Sequence, residues 1–366
     1  MPDESENLRY WVALSTLNDI GANIIKKLIS IYQSPEKIFN ASFDELLQID
    51  GIGKNRAESI TSFCDWKRVD KILERIDRLK AKIIHENSKE YPVLLREIHG
   101  NPPILYVRGE LKEEDKYAIA IVGSRKATHY GISATEKITA GLSELGFTIV
   151  SGLAIGIDTV AHKTALNKEA RTAAVLGCGL DVVYPPQNKI LMERIVEKGA
   201  VVSEFPPGTR PLKEHFPIRN RLISGMSLGV LVTEAAESSG SLITAYCALE
   251  QGREVFAVPG NIMSKTSAGT HKLIQNGVKL VQKVDDITRE LAYVLKGFIK
   301  EEKKQQVQLQ DQEKLLCNAI SIEPAHIDDI IRDTGIPSSE VLTLLLGLEL
   351  KGIVKQIDGK KFHLIC

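Results

Sequence analysis

Seven short apolar runs alternate with helical stretches through the middle of this chain, and this alternation limits the possible folds more than any other feature. The runs show little polar alternation, as expected of strands that are buried on both faces. Strands and helices that alternate at this spacing predict a doubly wound, mostly parallel α/β sheet of extended Rossmann-like type. The predicted strands are Ala118–Val122, Thr148–Ser151, Ala173–Leu176, Ala200–Glu204, Gly229–Thr233, Glu254–Val258 and Lys279–Val281.

The sequence pattern predicts three domains and a linker. Residues 1–82 have apolar residues at helical spacing, and residues 83–295 contain the alternating strands and helices. A charged, glutamine-rich linker follows at 296–310. Residues 311–366 show three helices and then two short strands, which is the pattern of a winged helix. The three helices are predicted at Gln312–Ile320, Ala325–Arg332 and Ser338–Lys351, with the strand turn at Asp358-Gly359.

Charge and cysteine content limit the class of partner and the compartment. Lys plus Arg and Asp plus Glu are both 47, so any binding to nucleic acid has to come from a local basic patch. Five scattered cysteines without a CxxC pair fit a reducing compartment. The N-terminus is polar and acidic, and no apolar run approaches the roughly 20 residues of a membrane span. We therefore expect a cytoplasmic protein without a membrane segment.

Glycine and hydroxyl residues follow nearly every predicted strand. Gly123, Ser124 and Arg125 end the first strand, Gly152 follows the second, and the segment Ser239–Thr244 comes after a later one. Because the carboxyl ends of parallel strands meet at one edge of a sheet, we expect these loops to form one site. Backbone amides at a helix start, with an arginine beside them, favour an anion such as phosphate.

Further cations and aromatic residues are candidates for the same edge. Arg219 and Arg221 flank Asn220, and on a helix the two arginines diverge by roughly 200°. One of them can reach a phosphate while the other pairs with an acid or stacks on a base. The remaining candidates are the cations Lys126, Lys213 and Lys265 and the aromatic residues Tyr184, Phe205 and Phe216, for which packing in the core is the alternative.

The N-terminal domain contains a second glycine-rich turn. Gly51 and Gly53 flank Ile52 between helical segments, and Lys54 and Arg56 open the second segment. This pattern resembles a helix-hairpin-helix, whose backbone amides bind a DNA phosphate; the alternative is a hairpin used only for packing. One hairpin supplies few phosphate contacts, so Gly51, Gly53 and Lys54 are predicted to form an accessory DNA contact.

The predicted winged helix has an unusual charge. Residues 311–366 carry six Lys or Arg against nine Asp or Glu, and the third helix is almost entirely apolar or acidic. A helix that reads a DNA groove needs polar side chains that contact bases. The sequence therefore favours a protein-contact module over a DNA reader, and it argues against a transcription factor.

Several enzymatic interpretations find little support. Gly177 and Gly179 begin a dinucleotide fingerprint, but Val182 stands where the third glycine is required, and GxxxxGK[ST] does not occur. Asp158 and His162 share a helix face and could help to hold a metal, although a structural role at a helix start is favoured. The serines of segment 238–241 have no histidine near them in the sequence. We therefore predict no catalytic residues, no metal and no cofactor.

Long motifs of the central region resemble one known family. They are IAIVGSRKATHYG (119–131), SGLAIGIDTVAHKTAL (151–166), GCGLDVVYPPQN (177–188), SEFPPGTRPLKEHFPIRNRLISG (203–225), SGSLITAYCALEQGREVFAVPG (239–260) and SAGTHKLIQNGVKLV (267–281). With these motifs the chain resembles the bacterial DNA-processing family DprA, also called Smf.

The resemblance implies a protein that binds single-stranded DNA without a cofactor or turnover. Members of this family act in natural transformation, protect incoming strands, load the recombinase RecA and commonly form homodimers through the central domain. On the matching positions, Gly123, Ser124 and Arg125 would hold the phosphate backbone. The other implied contacts are Arg219, Asn220, Arg221 and the turn that contains Ser239, Gly240, Ser241 and Thr244.

Two rivals from other classes remain, and one is a transcription factor, whose third helix would lack basic and amide side chains. The central fold also resembles Rossmann proteins of the lysine-decarboxylase-like group, which hydrolyse the glycosidic bond of a nucleoside monophosphate. Their PGGxGTxxE signature is only echoed by Pro259-Gly260-Asn261 and Gly269-Thr270, and Leu273 occupies the position of its glutamate. A nucleoside monophosphate hydrolase is therefore the alternative function.

Overall fold

The computed structural model describes residues 4–17, 19–295, 311–320, 325–350, 354–357 and 359–364. The chain divides into two compact units, Met1–Lys296 and Gly297–Cys366. The predicted linker at 296–310 and the turn residue Asp358 lie outside the described residues.

A nine-stranded sheet forms the centre of the first unit. Its order is β1-β2-β6-β5-β4-β3-β7-β8-β9. Neighbouring strands among β3 to β9 are parallel, and β2 is antiparallel to both of its neighbours, β1 and β6. Strands β3 to β7 are buried along their whole length, which explains their apolar composition. The strands are β1 Lys82–His85, β2 Ile104–Gly109, β3 Ala118–Val122, β4 Thr148–Ser151, β5 Thr172–Leu176, β6 Ala200–Ser203, β7 Gly229–Val232, β8 Glu254–Ala257 and β9 Lys279–Leu280.

Helices cover the sheet and form the N-terminal region. Within the described residues, the helices before β1 are α1 Glu4–Ser15, α2 Ala22–Tyr32, α3 Pro35–Phe39, α4 Phe43–Leu47, α5 Lys54–Thr61 and α6 Trp66–Arg78. The helices that follow are α7 Val93–Arg96, α8 His129–Glu144, α9 Ile157–Asn167, α10 Lys189–Lys198, α11 His215–Gly225, α12 Gly240–Glu250, α13 Ala268–Gln275 and α14 Val284–Glu290.

The N-terminal helices share a core with the sheet. One apolar cluster contains Ile72 and Ile76 of α6 together with Leu176, Leu180 and Leu191 of the central region. Burial of such side chains stabilises each of them by about 1.5–3 kcal/mol relative to exposure. The helical region is therefore fixed against the sheet within one unit.

The second unit is a winged helix. Helices α15 Asp311–Ala319, α16 Ile327–Thr334 and α17 Ser338–Leu350 accompany a sheet of order β10-β12-β11, formed by Ala325–His326, Lys361–Leu364 and Val354–Ile357. Its separate core includes Leu316, Ile330, Val341, Leu345 and Phe362.

The predicted fold class is confirmed, with three local differences. All seven predicted strands form, each within one residue at either end. The edge strand β1 and its neighbour β2 were not predicted, and the second winged-helix helix begins at Ile327 because residues Ala325 and His326 pair with β12. Helix α8 begins at His129, where the side chain of Thr128 caps it at Gly131 N, so Arg125 lies in the loop before the helix start and not at it.

Candidate nucleic-acid interface

A groove of about 680 Å³ lies at the carboxyl ends of β3 and β7. The sheet continues from β3 to β4, β5 and β6 in one direction and from β7 to β8 and β9 in the other, so this is its topological switch point. We call it the rim groove. The predicted site residues that line it are Gly123, Ser124, Arg125, Lys126, Lys213, Arg219, Asn220, Ser239, Gly240, Ser241 and Thr244.

The turn after β3 is held by backbone contacts. Ser124 donates its amide to Glu234 O at 2.7 Å, and its Oγ accepts from Lys126 N at 3.1 Å. A Cβ atom on Gly123 would lie 2.7 Å from Ile157 Cγ1, so a larger residue does not fit at this position. The turn therefore projects Arg125 and Lys126 outward in a fixed direction, and both side chains are exposed.

Arg125 is an exposed cation of the groove that lies beside aromatic rings. Its guanidinium carbon lies 5.6 Å from the ring centroid of Phe216, and the rings of Phe216 and Tyr184 are 5.5 Å apart. Among the described residues, no carboxylate lies within ion-pair distance of Arg125. Arg125 therefore retains its hydrogen-bond donors beside two aromatic rings. Phe205, the third aromatic candidate, instead stacks on His215 at 4.2 Å, away from the lining.

Arg219 has a different environment from Arg125. It is buried, with 5% of its surface exposed, and its Nη1 donates to Gly152 O at 2.8 Å and to Val175 O. Burial lowers its pKa to about 10, with Asp158 acting in the opposite direction. A Cβ atom on Gly152 would lie 2.6 Å from Nη2 of this guanidinium. Arg219 and Gly152 thus join the ends of β4 and β5 beneath the groove surface.

Asp158 and His162 support the same loop. Asp158 accepts hydrogen bonds from Gly152 N at 3.1 Å and Ala154 N at 3.3 Å, and burial raises its pKa against the effect of Arg219. His162 Nδ1 contacts Thr172 Oγ1 at 2.7 Å, and burial lowers its pKa to about 3. Each side chain thus has a structural partner. No cluster of three or more metal-ligating side chains occurs in the described part of the chain.

Arg221 points away from the rim groove. It forms an ion pair with Glu204 and does not line the groove, so the expected divergence of the two arginines is confirmed. Asn220 is buried, and its Nδ2 donates to Gly240 O at 3.3 Å. Ser239 caps α12, where its Oγ accepts from Ser241 N at 3.4 Å. Lys265 is exposed outside the lining, although its neighbour Thr266 belongs to it.

The N-terminal hairpin lies apart from the rim groove. Gly51 has φ +89°, and Arg56 donates to Gly51 O and to Asp19 O, so this arginine holds the hairpin. Gly53 and Lys54 are exposed. None of the three predicted accessory residues lines the groove.

Glu234 is a supporting residue that the sequence analysis did not single out. It is 3% exposed, its Oε2 accepts from Thr128 N at 2.9 Å, and a Cβ atom on Gly131 would lie 2.2 Å from the same oxygen. Its carboxylate therefore fixes the start of α8 beside the turn. The sequence signal that could have revealed Glu234 is an acidic residue directly after a buried strand.

Comparisons with known proteins agree with this architecture. A model of the family "DNA recombination-mediator protein A" matches residues 82–292. The chain belongs to this family. Models of the DprA winged helix domain and of a SAM-like helix-hairpin-helix tandem match residues 300–360 and 12–65. The family membership and the nature of the flanking domains predicted from the sequence are thereby confirmed.

Relatives extend over most of the chain. Protein Smf of Synechocystis is 33% identical over 97% of this chain and 98% of its own length, and DNA processing protein DprA of Bacillus subtilis is 44% identical over 62% and 76%. The crystal structure of DprA from Streptococcus pneumoniae matches with TM-score 0.66 and 38% identity over 77% of this chain and 96% of that one. DNA processing protein A from Helicobacter pylori, described with a single-stranded DNA binding mode, matches with TM-score 0.53 and 28% identity over 59% and 97%.

Within the described residues, no helix combines the length and the apolar character that a membrane crossing requires.

Proposed function

We propose that the rim groove binds the phosphate backbone of single-stranded DNA, and that the protein protects this strand and helps to load the RecA recombinase onto it during natural transformation. The observation that carries the proposal is the environment of Arg125. This guanidinium is exposed, has no carboxylate partner among the described residues, and lies beside Phe216 with Lys126 and Lys213 in the same lining. Such a guanidinium is suited to bidentate binding of phosphate.

Aromatic side chains favour a single strand over a duplex. Unpaired bases can stack on aromatic rings, and each such stack contributes about 1–3 kcal/mol. Tyr184 lies 41% exposed in the lining beside Phe216. The relative from Helicobacter pylori has a single-stranded DNA binding mode, which supports the same preference here.

The family also supports the proposed partners. A recombination mediator acts by bringing a recombinase onto DNA, which supports RecA as the protein partner. We also propose a homodimer formed through the central domain and a cytoplasmic location, as expected from the resemblance and the cysteine pattern. Sedimentation analysis of the full chain tests the dimer, and a monomer at all concentrations contradicts it.

The residues of the groove favour binding without turnover. The carboxylate in the described lining is Asp158, which is buried and bound to two backbone amides. Leu273, at the position of the glutamate in the rival hydrolase signature, is 1% exposed within the apolar core. We therefore expect no free base to be released from any nucleoside monophosphate, and release of base would restore the hydrolase.

Fluorescence anisotropy with labelled single-stranded and duplex oligonucleotides tests the proposal. Arg125→Ala should weaken single-strand binding by about 1–3 kcal/mol, the contribution of a charge-assisted contact. Lys137→Ala is the matched control, because Lys137 is an exposed cation of α8 outside the groove. Equal affinity of wild type and Arg125→Ala for the single strand contradicts the assignment of the site.

A further inference from the structure

A second basic groove lies between α6 and the loop that follows β6. It has a volume of about 340 Å³, and its lining comprises three cations, Arg68, Lys71 and Arg75, together with Ile72 and the loop 206–209. No acidic residue of the described part of the chain belongs to this lining. We call it the α6 groove.

The cations of the α6 groove share one side of the helix. At 3.6 residues per turn, Arg68, Lys71 and Arg75 fall within an arc of about 60°, and Asp70 and Asp77 lie more than about 130° from its centre. Arg68 and Lys71 are exposed, and neither has an ion-pair partner among the described residues. The side chains therefore form a basic ridge along the helix.

Arg75 fixes this ridge to the central region. Its Nη1 donates to Pro207 O at 3.3 Å and lies 3.9 Å from Asp181 Oδ2. Gly208 has φ +88°, a backbone conformation that favours glycine, and this turn brings its backbone close to the guanidinium of Arg75. Since Ile72 and Ile76 also enter the shared core, the ridge does not move freely relative to the rim.

The loops between the two grooves are continuous. The β6–α11 connection carries Pro206 to Thr209 in the α6 groove and Lys213 in the rim groove. The loop after β5 joins it, because Gly179 N donates to Thr209 O at 3.0 Å, and Tyr184 of that loop lines a small pocket with Arg125. Strands β3, β4, β5 and β6 are consecutive neighbours, so their ends span roughly 14 Å, the length of about four stacked nucleotides.

We propose that single-stranded DNA leaves the rim groove across the ends of β5 and β6 and continues in the α6 groove, where Arg68, Lys71 and Arg75 bind its phosphates. This inference rests on the proposed function of the rim groove and adds the N-terminal helical region to the strand path. Asp181 lies between the two grooves, but its carboxylate is bound by Gly208 N at 2.7 Å and faces Arg75.

Anisotropy with two oligonucleotide lengths tests the inference in the full chain. The variant Arg68→Ala/Lys71→Ala removes two exposed cations and leaves Arg75 and its structural contacts in place. It should bind an oligonucleotide of about 6 nucleotides like wild type and bind one of about 20 nucleotides about tenfold more weakly. The salt slope, which is the steepness with which the logarithm of the binding constant falls with the logarithm of salt concentration, should decrease for the longer strand by about 1.4, or about 0.7 for each lost contact. Lys37→Ala/Lys137→Ala, which removes two exposed cations elsewhere, should match wild type for both lengths.

The outcomes separate the two proposals. If Arg125→Ala weakens both lengths and the α6 variant weakens neither, the rim assignment stands and the path through the α6 groove is wrong. If Arg125→Ala weakens neither length, the rim assignment itself fails. If the α6 variant loses affinity for duplex DNA alone, the ridge binds a duplex and the single-strand inference is overturned.

Discussion

The rim groove and a second cavity of the first unit have similar volumes, but the arginines that line them differ in their hydrogen-bond partners. The second cavity, of about 770 Å³, is lined by Tyr91, Arg96, Asp115 and Met226 among others, and we call it the side cavity. Arg96 donates to Glu86 O at 3.1 Å and to Ser88 O at 3.0 Å, whereas Arg125 has no such acceptor in the described residues. Volume alone therefore does not distinguish the two cavities; the contacts of the guanidinium do, and they are the basis for proposing the rim groove as the DNA site.

The same comparison applies within the rim groove itself. Arg219 lies beneath the surface, and its guanidinium donates hydrogen bonds to the carbonyl groups of Gly152 and Val175. It resembles Arg96 in its contacts, although the sequence places it among the DNA-binding candidates. We therefore expect the arginines that donate to backbone carbonyl groups to stabilise the fold, and Arg125 to bind DNA.

The largest effect is expected for Arg219→Ala. The variant leaves two buried carbonyl groups and the carboxylate of Asp158 without their cation, so the free energy of unfolding should fall by about 3–5 kcal/mol. Urea unfolding of this variant and of the exposed-site control Arg210→Ala measures the difference. Wild-type stability combined with lost DNA binding would instead make Arg219 a direct contact.

The next effect concerns pH and the buried His162. Because burial lowers its folded pKa to about 3, the unfolded chain binds the proton first, and stability falls as pH drops below about 6.5. Protonation of His162 in the unfolded chain should therefore lower the free energy of unfolding by about 2 kcal/mol between pH about 6 and pH about 4.5. Urea unfolding at the two pH values should show this extra loss in wild type and not in His162→Gln. Equal losses in both proteins would show that other groups control the acid sensitivity.

Replacing Arg96 and Arg125 separately by alanine gives a direct comparison of the two cavities. Arg96→Ala should reduce the free energy of unfolding by about 1–3 kcal/mol and leave single-strand affinity unchanged. Arg125→Ala should change stability by less than about 0.5 kcal/mol and weaken binding. Unfolding and anisotropy measured on both variants check this reciprocity. A loss of DNA affinity in Arg96→Ala would make the side cavity part of the DNA site.

The smallest effects are expected for single lysines. Lys126→Ala and Lys213→Ala should each weaken single-strand binding by about 1 kcal/mol or less, since flexible exposed ammonium groups contribute little individually. Each should lower the salt slope by about 0.7. Lys265→Ala, which removes a cation outside the lining, should have a smaller effect than either. A larger effect of Lys265 would extend the DNA path beyond the groove toward β8.

Much of the fold followed from local pattern. Strands β3 to β9 were predictable because buried parallel strands are short apolar runs between glycine-rich loops. The edge strand β1 and its neighbour β2 were not, because Lys82–His85 and Ile104–Gly109 lack the regular spacing. They are defined by pairing with each other, and β2 also by pairing with β6. The start of α8 likewise depends on a long-range contact, the hydrogen bond from Thr128 N to Glu234 Oε2, which local pattern does not reveal.

For the candidate site, the sequence by itself determined the chemistry at the edge of the sheet, namely glycine turns, hydroxyl groups and cations after parallel strands. Only the tertiary structure decided which cations remain open. Arg125, Arg219 and Arg221 are alike in sequence, but the first faces the groove, the second is buried under Gly152, and the third pairs with Glu204. The physical reason is that an arginine's availability depends on the acceptors that distant segments bring to it, and these are set by packing.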